Sequence, residues 1–116
     1  MYDENNIFAK ILRKEIPCDK VHEDEFSLFF NDINPQAKIH VLGITKFPCT
    51  TFSDFLKNAD NENITSFFKS VQLVINNLNI EKNGYRLITN SGEDGGQEVP
   101  HFHIHILAGE KIGSLR

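Results

Sequence analysis

Three histidines at alternate positions constrain this 116-residue chain more than any other feature. They are His101, His103 and His105, and apolar residues separate them in the segment HFHIHIL. Strict alternation is typical of a β-strand, whose side chains point to opposite faces with a period of two. We therefore predict a strand over Val99–Leu107 that presents all three imidazoles on one face. The chemistry of the protein is expected on that face.

The length and composition are those of one globular domain. A chain of 116 residues with 40% hydrophobic and 24% charged residues can form one packed core but not two, so 1–116 is expected to be a single domain. The net charge of −4 gives no basic field that would favour nucleic acid as a partner. No apolar run approaches the ~20 residues of a membrane span, and the acidic, polar start is unlike a signal peptide. We expect a cytoplasmic protein with no membrane partner.

Hydrophobic periodicity and turn residues predict an α+β fold. Asn6 can cap one short helix, and Thr51 with Asp54 forms a capping box before a second. Apolar residues recur at helical spacing from about Asn61 to Leu78, which predicts the longest helix. Strands are predicted over 21–23, 26–31, 39–45, 85–90 and 99–107. Together they predict an antiparallel sheet of about five strands, with the helices on one face and the histidines on the open face.

Two kinds of chemistry use several imidazoles on one strand face. Three imidazoles could complete a catalytic zinc site. Alternatively, neutral imidazole, with a reference pKa of about 6.5, can attack phosphorus as a nucleophile at pH 7. The segment 91–97, SGEDGGQ, directly precedes the histidines, and its flexible backbone can direct N–H groups at an anion. Because His40 and Asn90 are expected near this loop as well, we rank phosphate chemistry above metal binding.

These residues resemble the signature of a known family. The segment 101–107 is similar to the His-φ-His-φ-His-φ-φ signature of the histidine triad (HIT) superfamily of nucleotide hydrolases and transferases. Further matches are GQEV at 96–99, NSG at 90–92, DINPQA at 32–37 and IFAKI at 7–11. They place the chain nearest the Hint branch, the purine nucleoside phosphoramidases. The resemblance extends to about Gly109.

The resemblance implies hydrolysis without metal or cofactor, through a transiently nucleotidylated histidine. His103 would attack the α-phosphorus, and His105 would contact phosphate oxygens and the leaving group. His101 would support the orientation of the nucleophile, and His40 would complete the cluster. A P–N leaving group also needs a proton, which His105 or Glu98 could supply. The middle position is favoured physically too, because only His103 has a histidine two residues away on each side.

The resemblance also implies a purine nucleotide such as AMP or GMP as ligand. Asn90 and the backbone around Gly96 and Gln97, with Glu98 beside them, would hold the phosphate. Asp32 would accept the ribose hydroxyls, beside Ile33. The base would be enclosed by the apolar side chains of Ile7, Phe8, Ile11 and Phe30. Family members form homodimers in which two five-stranded sheets join into one of ten strands, and the same is expected here.

Two features depart from the family pattern. Glu98 stands where many members carry Ser or Thr, and the tail 108–116 lacks the Trp-Pro-Pro-Gly ending of animal members. The substrate is therefore open among aminoacyl-adenylates, AMP-lysine-type phosphoramidates and dinucleoside polyphosphates. A nucleotide-binding module whose hydrolysis is incidental is the alternative from a different class of function. A zinc-dependent site ranks below these.

Overall fold

The computed structural model describes residues 1–115. Its elements, in chain order, are α1 Ile7–Leu12, β1 Lys20–Glu23, β2 Ser27–Asn31, β3 Ile39–Thr45, α2 Phe52–Asn58, α3 Asn61–Asn77, β4 Arg86–Ile88 and β5 His103–Ala108. The five strands form one antiparallel sheet in the order β1-β2-β3-β5-β4. The predicted α+β class and five-stranded antiparallel sheet are confirmed. Within the described range, no helix is both long and apolar enough to cross a membrane.

Side-chain caps begin the helices. Asn6 Oδ1 accepts a hydrogen bond from the Ala9 N–H at 2.9 Å, and Thr51 Oγ1 accepts one from the Asp54 N–H at 3.0 Å. Asp60, which was not predicted as a cap, begins α3 in the same way. Each cap satisfies an N–H group that the first helical turn leaves without an intrahelical partner. The predicted starts of α1 and α2 are therefore confirmed.

Side chains of α2 and α3 cover one face of the sheet. The core on this side joins Val41, Ile104 and Ile106 of the central strands to Phe67 and Val74 of α3, and each of these side chains is at most 5% exposed. In β5 these apolar residues alternate with the histidines, so burial of one set turns the other set to the opposite face. We call that opposite face, which carries His103 and His105, the histidine face.

The first helix packs on the histidine face, which corrects the prediction that all helices share one face and leave the other open. Phe8 and Ile11 of α1 pack against Phe30 and Leu42 in a second apolar cluster. Strand alternation places Phe30 and Leu42 on the same face as the histidines. Burial of these apolar side chains from water is favourable, and α1 provides it. Phe8 of α1 also lies against the rings of His101 and His103, which are 0% and 6% exposed.

The strand that carries the histidines begins later than predicted. β5 starts at His103 and not at Val99. Pro100 has no N–H to donate to a neighbouring strand, and the N–H of His101 turns back to the Val99 carbonyl at 2.8 Å. His101 therefore lies in a bend that precedes the ladder.

The other differences from prediction are at the ends of elements. β4 contains three residues, Arg86–Ile88, where a strand over 85–90 was predicted. Beyond Ile88 the Thr89 hydroxyl donates to the His103 carbonyl at 2.8 Å, so a side chain continues the link in place of the backbone ladder. The remaining predicted strands and helices differ by no more than one residue at an end.

Candidate active site

A cavity of about 460 Å³ opens on the histidine face, between α1 and the segments 31–36 and 90–99. Its wall combines apolar side chains with imidazole, amide and carboxylate groups. The predicted site residues that line it are Ile7, Phe8, Ile11, Phe30, Asp32, Ile33, His40, Asn90, Gly96, Glu98, His103 and His105. The fold thus brings together residues from α1, three strands and two loops, which lie far apart along the chain.

Two predicted site residues, Gln97 and His101, do not line the cavity. The Gln97 amide N–H group donates to the carbonyls of Thr50 at 2.7 Å and Val99 at 3.0 Å. Its Oε1 accepts from the Gly92 N–H at 3.0 Å. Gln97 therefore stabilises the loop before the histidines, and its side chain is not available to a ligand.

The backbone of this loop is also less available to a phosphate than predicted. The N–H of Gly96 donates to the Glu93 carbonyl, and the N–H of Gln97 donates to the Gly92 carbonyl, both at 3.0 Å. Gly96 adopts φ +73°, a conformation that L side chains rarely adopt. The loop uses these donors to hold its own shape. The next N–H groups along the chain, those of Glu98 and Val99, have no hydrogen-bond partner within residues 1–115.

Hydrogen bonds determine which nitrogen of His103 carries the proton. Its Nδ1 lies 2.6 Å from the carbonyl oxygen of His101, and because a carbonyl can only accept, Nδ1 is protonated. Burial lowers the pKa of His103, so the ring is neutral at pH 7 and Nε2 keeps its lone pair. Nε2 is therefore the nitrogen that can attack an electrophile in the cavity.

His105 has the opposite arrangement. The backbone N–H of Gln36 donates to Nδ1 of His40 at 3.0 Å, so the proton of a neutral His40 is on Nε2. That Nε2–H donates to Nδ1 of His105 at 2.9 Å, which leaves the proton of His105 on its own Nε2. Burial, followed by the neighbouring His103 and His40, lowers the pKa of His105 to about 4. His105 thus offers an N–H donor, whereas His103 offers a lone pair.

His101 contacts His103 through its main chain and not through its imidazole. The His101 ring is fully buried; its Nε2 lies 2.7 Å from the Thr45 carbonyl and its Nδ1 lies 2.6 Å from the Tyr2 hydroxyl. The prediction that imidazoles flank the middle histidine on both sides is therefore wrong on this side. Because His101 precedes the ladder, its side chain is free to turn into the protein, and only its carbonyl reaches His103.

Asp32, His40 and His105 form a group that could hold a divalent metal ion. One donor atom of each lies within 4.8 Å of the others, and two imidazoles with a carboxylate are common zinc ligands. This set differs from the predicted zinc alternative, because neither His101 nor His103 belongs to it. His40 Nε2, which is 3.4 Å from Asp32 Oδ2, already donates to His105, so a bound metal would replace that hydrogen bond.

Several residues of the cavity wall were not predicted. Leu42 lies two residues after His40 in β3 and pairs opposite His105, so strand alternation alone could have identified it. The others are Ile16, Pro17, Cys18, Asn31, Asn34, Gln36 and Val99. Those near Asp32 share its turn, and sequence adjacency is a signal for them. The segment 16–18 carries no such signal, because it reaches the cavity only through the path of the chain after α1.

Comparison with known proteins identifies the family of this chain. The family model described as HIT domain matches residues 13–112. The chain is 47% identical over 114 residues to a 13.2 kDa HIT-like protein from Azospirillum brasilense, covering 98% of this chain and 93% of that protein. It is 40% identical over 113 residues to the purine nucleoside phosphoramidase of Escherichia coli K12, covering 97% and 93%. A solved HIT family hydrolase from Legionella pneumophila Philadelphia 1 superposes with a TM-score of 0.86 at 37% identity, covering 94% and 96%. The chain therefore belongs to the HIT domain family.

Proposed function

We propose that this protein is a single-domain, cytoplasmic hydrolase of purine nucleoside phosphoramidates that acts without metal, through a nucleotidyl group carried covalently on His103. One observation supports this most directly. His103 and His105, with ring centroids 5.1 Å apart, offer a nitrogen lone pair and an N–H donor at the wall of one cavity. Membership of the HIT family and similarity to a protein named as a phosphoramidase add further support.

In the first step, His103 Nε2 attacks the α-phosphorus, and the new N–P bond forms as the P–N bond to the amine breaks. The imidazole becomes an imidazolium, which the carbonyl hydrogen-bonded to its Nδ1–H stabilises. The leaving amine must gain a proton, and His105 and Glu98 are the two groups proposed to relay it: a proton taken from solvent passes through one of them to the amine nitrogen. Water then attacks phosphorus, the bond to His103 breaks, the proton that the water loses returns to solvent, and the nucleoside monophosphate leaves.

Neutral donors would hold the phosphoryl oxygens in this reaction. Among the described wall residues there is no lysine or arginine, whereas Asp32 and Glu98 both carry carboxylates. The proposed donors are the Asn90 amide, the His105 Nε2–H and the backbone N–H groups of Glu98 and Val99. A phosphoramidate with one negative charge suits such a site better than a polyphosphate with several. The charge of the wall therefore favours phosphoramidates over dinucleoside polyphosphates.

The nucleoside would lie against the first helix. Asp32 is the proposed acceptor for the ribose hydroxyls, and the hydrogen bond from the Asn34 N–H to its Oδ1, at 2.8 Å, restrains its carboxylate. The proposed walls of the base pocket are Ile7, Phe8, Ile11 and Phe30, and Ile33, 90% exposed, lies at the mouth. Apolar walls discriminate by only about 1–3 kcal/mol per fitted group, so we expect adenine and guanine to be accepted alike.

We also propose that the protein is a homodimer. β4 is the last strand in the sheet order, so its outer edge has no partner strand within the described range. Two apolar side chains near that edge are solvent-accessible, Tyr85 at 38% and Leu87 at 44%. Pairing of two such edges would satisfy the backbone groups of β4 and give the expected ten-stranded sheet. Sedimentation equilibrium measures the mass directly, and a monomer at all concentrations would contradict the proposal.

Steady-state hydrolysis of AMP and GMP phosphoramidates tests the proposed function. We expect turnover of both substrates, unchanged after EDTA treatment, and labelled nucleotide trapped on the protein after an alkaline quench. Binding of AMP without turnover would instead indicate a nucleotide-binding module. A loss of activity that zinc alone restores would assign the chemistry to the Asp32, His40 and His105 cluster. A 10⁴-fold preference for one purine would contradict the proposed apolar base pocket.

A further inference from the structure

The segment before α1 places a tyrosine behind the histidine cluster. The Tyr2 hydroxyl lies 2.6 Å from Nδ1 of His101, and the two rings meet edge to face with centroids 5.7 Å apart. Neither residue lines the cavity. No step of the proposed mechanism uses Tyr2, yet its hydroxyl contacts a fully buried imidazole.

The other nitrogen of His101 determines the direction of this hydrogen bond. Its Nε2 lies 2.7 Å from the Thr45 carbonyl, so Nε2 carries the ring proton. Burial lowers the pKa of His101 to about 4, so the ring is neutral at pH 7 and Nδ1 has a lone pair. The Tyr2 hydroxyl is therefore the donor. Tyr2 and Thr45 together hold the imidazole at both nitrogens, in one tautomer and one orientation.

The main chain of His101 passes this restraint to His103. The His101 carbonyl accepts the Nδ1–H of His103 at 2.6 Å. A ring that is held at both nitrogens leaves its own main chain little freedom to rotate, so the direction of the carbonyl is held as well. The ring of Phe8 lies against both imidazoles, with centroids 6.3 Å from His101 and 4.9 Å from His103. Neither imidazole can turn toward α1 without displacing that ring.

We propose that Tyr2 is a positioning residue for the nucleophile: its hydroxyl holds His101 so that the His101 carbonyl orients His103 Nε2 toward phosphorus. The kinetic consequence rests on the proposed function, but the chain of hydrogen bonds can be tested without any substrate. Removal of one oxygen atom outside the cavity is expected to slow the attack on phosphorus and to leave nucleotide binding unchanged.

The variant Tyr2→Phe removes the hydroxyl and keeps the ring. Thr65→Val is the matched control, because it also removes one hydroxyl and keeps the side-chain shape, and Thr65 is exposed on α3 and does not line the cavity. Tyr2→Phe should lower the single-turnover rate of nucleotidylation on the order of tenfold, as expected for a small displacement of a nucleophile. The dissociation constant for AMP should stay within about twofold of wild type, since no ligand contact is removed. Thr65→Val should match wild type in both measurements.

Imidazole ¹⁵N NMR gives a readout that does not depend on catalysis. Tyr2→Phe should move the His101 Nδ1 signal toward that of a free lone pair. It should also broaden the His103 Nδ1–H signal, because a less restrained carbonyl allows faster exchange with water. Urea unfolding of the same variant measures any general loss of stability. In a His101→Gln background, Tyr2→Phe should cause no further loss of rate.

A wild-type rate and an unchanged His103 signal in Tyr2→Phe would overturn the proposal. A slower rate with lower stability and unchanged imidazole signals would overturn it as well, because that pattern belongs to a purely structural contact. If the wild-type protein does not turn over phosphoramidates, the proposed function fails. The NMR comparison of Tyr2→Phe with Thr65→Val still decides the role of Tyr2 in that case.

Discussion

The helix-covered face and the histidine face share strands β3 and β5 but are held together by different interactions. On the helix-covered face, Phe102 stacks on Phe55 with centroids 4.8 Å apart and lies 5.4 Å from Phe67. On the histidine face, the buried groups are imidazoles, and specific hydrogen bonds hold them in place. Across residues 1–115, no buried side-chain nitrogen or oxygen lacks a hydrogen-bond partner.

This difference shows how one strand can serve both stability and chemistry. Apolar packing depends on volume and is not directional, so it tolerates replacement by side chains of similar size. The imidazoles depend on the direction of single hydrogen bonds, and each bond also assigns a proton to one nitrogen. Variants on the first face should therefore change the free energy of unfolding. Variants on the second should change rate, binding or pH dependence.

The largest effect is expected from His103→Ala on the histidine face. Loss of the covalent nucleophile should lower turnover by about 10⁴–10⁶-fold, while AMP still binds because the rest of the cavity is kept. His101→Ala and His105→Ala should cost less. His22→Ala is the control, because His22 does not line the cavity. Single-turnover kinetics with trapping of labelled nucleotide is the measurement. Label trapped on His103→Ala, or turnover near the wild-type rate, would show that another residue is the nucleophile.

Phe102→Ala tests the helix-covered face. Phe102 lies between His101 and His103 in the sequence but packs in the core on that face. Phe102 is 1% exposed, and truncation of such a buried ring costs about 3–5 kcal/mol of unfolding free energy. Phe52→Ala, at a side chain that is 40% exposed, should cost no more than about 1 kcal/mol. Urea unfolding at equilibrium compares the two variants. Equal losses would mean that the aromatic packing around Phe102 is not what stabilises this face.

The stability of the protein should fall as pH decreases from 6.5 to 4, because of the histidine face. Burial holds the pKa of His101 at about 4, below the 6.5 of an unfolded histidine, so the unfolded chain binds more protons in this window. The stabilisation is complete above pH 6.5, and protonation of the unfolded state removes on the order of 3 kcal/mol at His101 by pH 4. His101→Phe should show a flatter profile in urea unfolding across this range. A profile as steep as that of wild type would contradict the assignment of this pH dependence to His101.

The smallest expected effect concerns the charge of the cavity wall. Glu98→Gln removes a carboxylate near the proposed phosphate position, whereas Glu93→Gln changes a carboxylate of the same loop that does not line the cavity. At low ionic strength Glu98→Gln should bind AMP about two- to fivefold more tightly, in the range of exposed charge interactions. The gain should decrease at high salt, because exposed charges are screened. Calorimetric titration at two salt concentrations measures it, and an equal gain in Glu93→Gln would exclude a local effect.

Local sequence patterns predicted the starts of two helices, the alternation along the histidine strand and most of the residues that line the cavity. The caps Asn6 and Thr51 depend on neighbours three residues away, so the starts of α1 and α2 could be predicted. The alternation around His103 likewise depends on adjacent residues, and it correctly separated Phe102 from the imidazoles. Most of the predicted wall residues line the cavity, although the roles proposed for them rest on the experiments above.

The sequence by itself determined which helices and strands form and how side chains alternate between the two faces of a strand, because periods of 2 and 3.6 residues are local properties of the backbone. Only the tertiary structure decided that His101 turns away from the cavity and that the Gln97 side chain forms hydrogen bonds within the loop before the histidines. It also decided that segment 16–18 lines the cavity and where each imidazole carries its proton. The partners that set the protons of His101 and His105 are Thr45 and His40, which lie 56 and 65 residues away from them along the chain, and no local pattern records such a contact.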